Sequence, residues 1–405
     1  MNHKPYLRGV LTHTVFPFES LYDTAPDGES LEVVLPGIEA ARPQPGKFIF
    51  QRFARFLPFS PEHMQEADSL GEGNTPLLKA PKSLQENTGL HNLWLKNETV
   101  NPTWSFKDRG SLTTIFMARV MQETVTATIS TGNMGNSMAA YSAHAGMEAV
   151  VFIPHFSPVE KVGAMAIHGA RIIRIKAPDY SAMKSAVLEQ GLKQRLRIVS
   201  GNGPLRTEGY KLTSFELFEH FNDSIPDFIA VPTSACGHIR GGFKGFLELK
   251  AAGLIHSLPR MIIVQAEVNS PIVSAYNKGL EDIIPFKDFS TVAEAITSGN
   301  PAGGKDLLYT ARKYNWLAES ASEEEILDSQ RVLAAAGFFT EPSSALSVAA
   351  LRKLTAKGFI PPDARVVLML TGSGLKDMRA LTHQPAPVQD IELQDLDRVM
   401  ASLEC

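Results

Sequence analysis

From position 124 onward, short continuous apolar runs alternate with segments in which apolar side chains recur every three or four residues. A short apolar run closed by turn residues reads as a strand buried on both faces; recurrence at three or four reads as one face of a helix. Strands are therefore expected at 126–130, 149–154, 171–176, 197–200, 228–232, 261–266 and 365–370. Helices are expected at 134–145, 180–194, 208–221, 242–252, 323–336 and 343–355. Ser157-Pro158-Val159-Glu160 supplies a further helix start, with a cap residue, a proline at the first helical position and a first-turn acid. Glu323-Glu324-Glu325 likewise sets acids at the end of a helix that favours them. Strand and helix in alternation imply parallel sheets with helices on both faces.

Before 124 the pattern changes. Residues 1–70 are Pro-rich with little periodicity and are expected to form an irregular extension. Within them Phe48, Phe50, Phe53, Phe56 and Phe59 form an aromatic series expected to pack rather than to bind. Gly73-Asn74-Thr75-Pro76-Leu77 is a turn entering a short apolar run, and Leu93-Trp94-Leu95-Lys96-Asn97-Glu98 alternates like a strand. Residues 111–121 read as a helix with Leu112, Ile115, Phe116 and Val120 on one side. Residues 269–305 read as loop-rich, and the tail from Pro385 as polar and peripheral.

Composition narrows the function classes. The 405 residues are enough for two or three domains, and 44% hydrophobic with 20% charged residues describes a soluble globule. A net charge of −4 with no basic tract argues against nucleic acid as a partner. No apolar run reaches membrane-spanning length, and Met1-Asn2-His3-Lys4-Pro5 is not followed by an apolar signal core. Cytoplasm is the expected location. The two cysteines, Cys236 and Cys405, are too few for a disulfide framework or a Cys-based zinc site, and the 11 histidines are scattered, so no metal is expected.

The stretch Asn101-Pro102-Thr103-Trp104-Ser105-Phe106-Lys107-Asp108-Arg109-Gly110 carries the sharpest chemistry. Asn-Pro-Thr is turn chemistry, and Ser105 reads as a helix N-cap. Lys107 then falls in a first helical turn, where the helix dipole disfavours a positive charge and favours a neutral, nucleophilic amine. Taken alone, the same residues also describe a solvated lysine at a helix start.

This stretch resembles the lysine motif of the threonine synthases, pyridoxal-phosphate (PLP) enzymes of fold type II. It departs from that pattern at Trp104, where glycine is usual. The resemblance implies that Lys107 binds PLP covalently. Ser130-Thr131-Gly132-Asn133-Met134-Gly135-Asn136-Ser137, at a strand-to-helix turn, is similar to the family's Ser-Ser/Thr-Gly-Asn-x-x-x-Ser. This implies that Asn133 bonds the PLP 3′-oxygen and that Ser130 and Thr131 take the substrate carboxylate. Ser200-Gly201-Asn202-Gly203-Pro204-Leu205-Arg206-Thr207-Glu208-Gly209-Tyr210-Lys211 is similar to Asn-Ser-x-Asn-Pro-x-Arg-x-Glu-Gly-Gln-Lys, which implies substrate-phosphate contacts from Asn202 and Arg206. Ser234-Ala235-Cys236-Gly237-His238 stands where the family has a Gly-Asn-x-Gly-Asn-like loop around the PLP phosphate, with Gly237 kept. A nest of backbone amides can hold phosphate without particular side chains, and His238 is expected to add a charge-assisted bond. Leu370-Thr371-Gly372-Ser373-Gly374-Leu375-Lys376-Asp377 resembles Leu-Thr-Gly-His-Gly-Leu-Lys-Asp, which implies that Thr371 faces the pyridine nitrogen. Glu341-Pro342-Ser343-Ser344-Ala345 resembles Glu-Pro-Ala-Ser-Ala, an active-site wall. Many threonine synthases also open with a small zinc ribbon. Here Gly9 and Thr12 stand where a Cys pair would be, implying an ornament without metal.

The expected fold is α/β of PLP fold type II, with two parallel-sheet domains, the cofactor in the interdomain cleft, and an irregular N-terminal extension over 1–70. Residues 71–115 and 206–405 form the large domain and 116–205 the small one. The implied activity is conversion of O-phosphohomoserine and water to threonine and phosphate. A related fold-type-II lyase acting by β-elimination or β-replacement on a serine/threonine-type amino acid remains an alternative, as does a non-catalytic PLP-binding paralogue. The expected partner is a small amino-acid phosphate ester, and a homodimer is compatible with the reading. Trp104 either fills space at the domain interface or narrows the substrate site.

Overall fold

The computed structural model describes residues 4–130, 132–155, 157, 159–178, 180–222, 224–287, 290–383 and 388–403. Its strands are β1 Tyr6–Gly9, β2 Val15–Pro17, β3 Leu31–Val34, β4 Leu77–Lys79, β5 Leu93–Asn97, β6 Val125–Ile129, β7 Glu148–Pro154, β8 Arg171–Ile175, β9 Ile198–Val199, β10 Phe228–Pro232, β11 Arg260–Ala266, β12 Leu317–Ala321 and β13 Val366–Leu370. They form three sheets, ordered β2-β1-β3, β12-β11-β10-β13-β5-β4 and β8-β7-β6-β9. The four-stranded sheet is parallel throughout, and the six-stranded one is parallel except for its edge strand β4. Every residue of β10 and β13 is buried, which is why these central strands read as unbroken apolar runs.

The extension is not irregular as expected. β1 pairs antiparallel with both β2 and β3, in strands too short to print a clear alternation. Its phenylalanines do pack: Phe53 stacks on Phe215 at 4.5 Å between ring centres, while Phe50 and Phe59 meet Phe116 at 5.3 and 5.7 Å. The extension is thereby seated on the lysine helix, Lys107–Met121.

Other boundaries moved for local reasons. The helix expected over 208–221 is two, Pro204–Tyr210 and Leu212–His220, broken at Lys211. The buried Lys211 ammonium bonds Glu208 at 2.6 Å and Glu248 at 2.8 Å there. The helix expected to begin at 242 begins at Gly237. A helix at Gly304–Lys313 and strand β12 were not anticipated; β12 is an edge strand carrying Glu319 and Ser320, so no apolar run marks it.

Beneath the lysine helix lies a buried ionic cluster. Arg109, wholly buried, donates from Nε and Nη2 to the two Glu98 oxygens at 2.7 and 2.8 Å. It donates from Nη1 and Nη2 to the two Glu216 oxygens at 2.7 and 2.8 Å. Lys96 Nζ meets Glu216 at 2.5 Å and the Thr75 carbonyl at 2.6 Å. Asn101 donates from Nδ2 to Glu98 at 2.8 Å and accepts the Gly73 N–H at 3.0 Å. Two positive and two negative side chains thus join β5, the 73–75 turn, the lysine loop and the Leu212–His220 helix. The cluster holds the Glu98 and Glu216 carboxyls below their usual range: the opposing charges of Arg109 and Lys96 outweigh the burial that would raise them.

Removing one partner of such a buried cluster leaves uncompensated charge. Arg109→Leu is therefore expected to lose about 3–5 kcal/mol in urea unfolding. The wild-type carboxylates are depressed in the folded state, so their contribution is present above the ordinary carboxylate range and lost as pH falls below it. The gap between wild type and variant should shrink on acidification; a gap that stays constant from neutral pH into that range would contradict this.

Candidate active site

Five of the six sequence motifs fall at carboxyl ends of parallel strands, and the sixth, Glu341–Ala345, opens the helix Pro342–Ala356. The lysine loop follows β5, the Ser130–Asn133 turn follows β6, the 200–206 segment follows β9, the 233–238 turn follows β10 and the 371–374 turn follows β13. That is where α/β sheets bind ligands.

Lys107 is the first residue of its helix, in the first turn as expected, but Ser105 is not the cap. The cap position is Phe106, with no side-chain cap bond. The loop is instead held by Asp108, whose carboxylate accepts the Thr103 N–H at 2.7 Å, the Thr103 hydroxyl at 2.5 Å and the Ser137 hydroxyl at 2.6 Å. Lys107 Nζ lies 4.3 Å from the centre of the Phe106 ring and 5.8 Å from that of Tyr210. Burial pushes its pKa down to about 7, with help from the Arg206 guanidinium and against the pull of Glu341. The shift toward a neutral amine expected from the helix start is present, with desolvation as its main cause.

Arg206 is wholly buried beside it. It donates from Nε to the Tyr210 hydroxyl at 2.9 Å, from Nη1 to Ser111 at 3.4 Å and from Nη2 to the Lys107 carbonyl at 2.9 Å. Asn202 does not turn toward the lysine. Its amide donates to Ser30 at 2.9 Å and accepts from Arg240 at 2.7 Å, and Arg240 also donates to the Leu31 carbonyl at 3.1 Å. The extension is thus bonded to the 200–206 segment and to the helix after β10.

Asn133 donates to Glu341 at 2.9 Å, joining the turn after β6 to the helix Pro342–Ala356 beside the six-stranded sheet. Burial raises the Glu341 carboxyl despite that bond and the charges of Lys376 and Lys107. A Cβ on Gly372 would lie 2.6 Å from Glu341 Oε1, so a larger residue there would displace that carboxyl. Thr371 is buried, its hydroxyl 3.1 Å from that of Ser344, and its carbonyl accepts the Phe106 N–H at 3.1 Å. Ser130 is partly buried and accepts the Gly132 N–H at 3.3 Å, while Thr131 lies outside the described residues.

In the turn after β10, Cys236 takes a left-handed φ of 72° just ahead of the helix Gly237–Ala251. A Cβ on Gly237 would sit 2.0 Å from the Gly201 carbonyl oxygen, so the turn is locked against the 200–206 segment. Ala235 also sides with Gly201, and Ser234 accepts the Ser298 N–H at 3.3 Å. The Cys236 thiol is pushed up to about 12 by burial, which removes it as a nucleophile at neutral pH. His238 stacks on Phe106 at 3.8 Å and 14°. Burial, with Lys107 and Arg109 adding to it and Glu98 opposing, brings its pKa down to about 3. The ring is therefore neutral at pH 7 and would meet a phosphate as an uncharged N–H donor rather than as a cation.

Two buried polar atoms at this centre, Ser105 Oγ and His238 Nδ1, have no hydrogen-bond partner. With the uncharged Lys107 amine, the Asn133 amide and the amide-rich turn after β10, they make a donor set that fits PLP. Among the described residues, no cluster of His, Cys, Asp and Glu could hold a metal ion. Glu341 and Tyr210 are the centre's members that sequence reasoning left without a role. Glu341 lay in a quoted motif, but its bond to Asn133 spans 208 positions.

The family model described as "Pyridoxal-phosphate dependent enzyme" matches residues 69–372. The threonine synthase of Methanocaldococcus jannaschii is 36% identical, the match covering 87% of each chain. That of Methanosarcina acetivorans is 35% identical over 92% of this chain and 90% of its own. Among solved structures, maize serine racemase superposes with a TM-score of 0.63 at 20% identity, covering 84% of this chain and 96% of its own. A tomato (Solanum lycopersicum) threonine deaminase isoform 2 gives 0.63 at 16%, covering 90% and 97%. These two likenesses bear on the fold alone.

Capture of PLP needs the uncharged amine, and that form gains as pH rises through the lysine's pKa. The capture rate of cofactor-stripped protein, followed by absorbance, should therefore climb through about pH 7 and then level off. Arg206→Gln removes a positive charge that holds the amine down, so its midpoint should move upward. A midpoint near the ordinary lysine value in wild type would contradict this.

Proposed function

The chain belongs to the threonine synthases, within the pyridoxal-phosphate dependent enzymes, and on that premise we propose that it converts O-phosphohomoserine and water to threonine and phosphate. The observation that carries the residue roles is the amine of Lys107. It is buried with its pKa near 7, it lies within electrostatic reach of Glu341 and His238, and the Phe106 beside it is bonded to the Thr371 carbonyl.

Bound at this centre, PLP supplies the electron sink that lets negative charge at the substrate Cα delocalise. Lys107 would hold it, and the same amine would then move protons at the substrate's Cα and Cβ. A group whose pKa lies near the working pH serves both as acid and as base. The Ser234-Ala235-Cys236-Gly237-His238 turn would cradle the cofactor phosphate with backbone N–H groups. Asn133 would donate to the ring 3′-oxygen, exchanging its present bond to Glu341. Thr371 would face the pyridine nitrogen with a neutral hydroxyl. Ser130 and Thr131 are assigned to the substrate carboxylate.

Asn202 and Arg206 are assigned to the substrate phosphate. Their present bonds, to Ser30, Arg240, Tyr210, Ser111 and the Lys107 carbonyl, would have to be exchanged for phosphate oxygens. The domain division proposed is 71–115 with 206–405, and 116–205 inserted. The strands of the four-stranded sheet all lie within the insert and those of the six-stranded sheet outside it, which supports the division. A second reading, a related fold-type-II lyase acting by β-elimination or β-replacement on a serine/threonine-type amino acid, is favoured by Trp104 and by the altered turn after β10.

Phosphate release from O-phosphohomoserine, with threonine identified as the organic product, tests the activity. Lys107→Ala should abolish release while leaving the urea unfolding midpoint close to wild type. Pyruvate formed from O-phosphoserine, with no threonine from O-phosphohomoserine, would favour the second reading, and release that survives in Lys107→Ala would remove the lysine from the chemistry.

A further inference from the structure

Trp104 occupies a conformation that costs free energy. Its φ is +63°, in the left-handed region, where a Cβ crowds the backbone and a bulky side chain is rare. Its backbone is pinned in that state: the N–H donates to the Asn101 carbonyl at 2.7 Å, and the carbonyl accepts the Ser373 N–H at 3.0 Å. The glycine usual in the family pattern would take this conformation without strain.

The indole does not recover that cost by packing into the core. Trp104 is 50% exposed, while Trp316 is 1% exposed. Trp94 packs edge-on against His220 and Phe221 and bonds Asn92 through its N–H. Among the described residues Trp104 joins no ring stack and lies under no cation. The expectation that its ring fills a domain interface therefore does not describe this structure.

Its position supplies the other half of the case. Trp104 stands three residues before Lys107. Its carbonyl is tied to Ser373, two residues after Thr371, so it bridges the loops that follow the adjacent parallel strands β5 and β13. Ser105 and Gly372 form a β-bridge beside it, and Lys376 Nζ donates to the Thr103 carbonyl at 2.5 Å. Ser373 is itself a departure, standing where the family pattern has histidine. Across one hydrogen bond this chain thus carries a large ring and a small residue where the pattern carries a small residue and a ring.

We propose that Trp104 is a specificity-determining wall of the substrate site, its half-exposed indole subtracting length from the space open to the side chain of an amino-acid phosphate ester. This rests on the site reading of the preceding subsection. The chain would accept a three-carbon ester more readily, relative to a four-carbon one, than it would with glycine at 104. Ser373 leaves the indole room where histidine would crowd it.

The test compares kcat/KM for O-phosphohomoserine and O-phosphoserine in PLP-loaded wild type, Trp104→Gly and Trp104→Phe. Trp104→Gly should shift the ratio toward the four-carbon ester by about tenfold or more, the scale set by one methylene in a pocket, with Trp104→Phe between. A ratio unchanged in Trp104→Gly overturns the proposal. Indole emission supplies a readout independent of turnover. Either ester, added to PLP-loaded Lys107→Ala protein, should change the emission saturably, and the change should vanish in Lys107→Ala/Trp104→Phe. No such change at saturation also overturns it. Should wild type turn over neither ester, the functional reading fails, and the emission measurement alone decides whether Trp104 borders the ligand.

Discussion

The site depends on one buried cation. Arg109 sits two residues after Lys107 and grips Glu98 and Glu216 with both edges of its guanidinium. Those acids come from the end of β5 and from the Leu212–His220 helix, so one side chain fixes the lysine helix against two elements far apart in sequence. A planar fork is needed for this, since an ammonium cannot bond two carboxylates edge-on. Buried ion pairs are seldom a net gain over apolar packing, so the cluster is better read as a device of register than of stability. It decides where the residue two positions earlier points.

With that helix fixed, the lysine's chemistry follows from its surroundings. Desolvation is the main force on its amine, and the Arg206 guanidinium adds repulsion from below. Arg206 also bonds the lysine's own carbonyl, so it both locates and discharges the residue. Glu341 works the other way, pulling the amine's pKa up, while burial raises its own carboxyl. The N-terminal extension is tied to the same part of the fold, since Ser30 and Leu31 bond Asn202 and Arg240.

Much of this was legible in the chain. The buried strands β10, β11 and β13 announce themselves as apolar runs, and the lysine loop by local turn chemistry next to a helix start. What was hidden is long-range or polar. β12 is an edge strand without an apolar run, and β1 to β3 are three or four residues long. The Asn133–Glu341 bond joins residues 208 apart, and the Asn202–Ser30 bond residues 172 apart. Arg206 was legible as a phosphate-type arginine but not as one already engaged with Tyr210, Ser111 and the Lys107 carbonyl. Motif reading names a residue's chemistry, whereas its partners are set by which strands end side by side.

The central claim is that Lys107, and no other lysine, carries the cofactor. Borohydride reduction of the PLP-loaded protein followed by proteolysis and mass mapping addresses it most directly. The predicted result is one pyridoxyl adduct, on the peptide containing Phe106-Lys107-Asp108. An adduct on any other lysine, or a spread over several surface lysines, would contradict it.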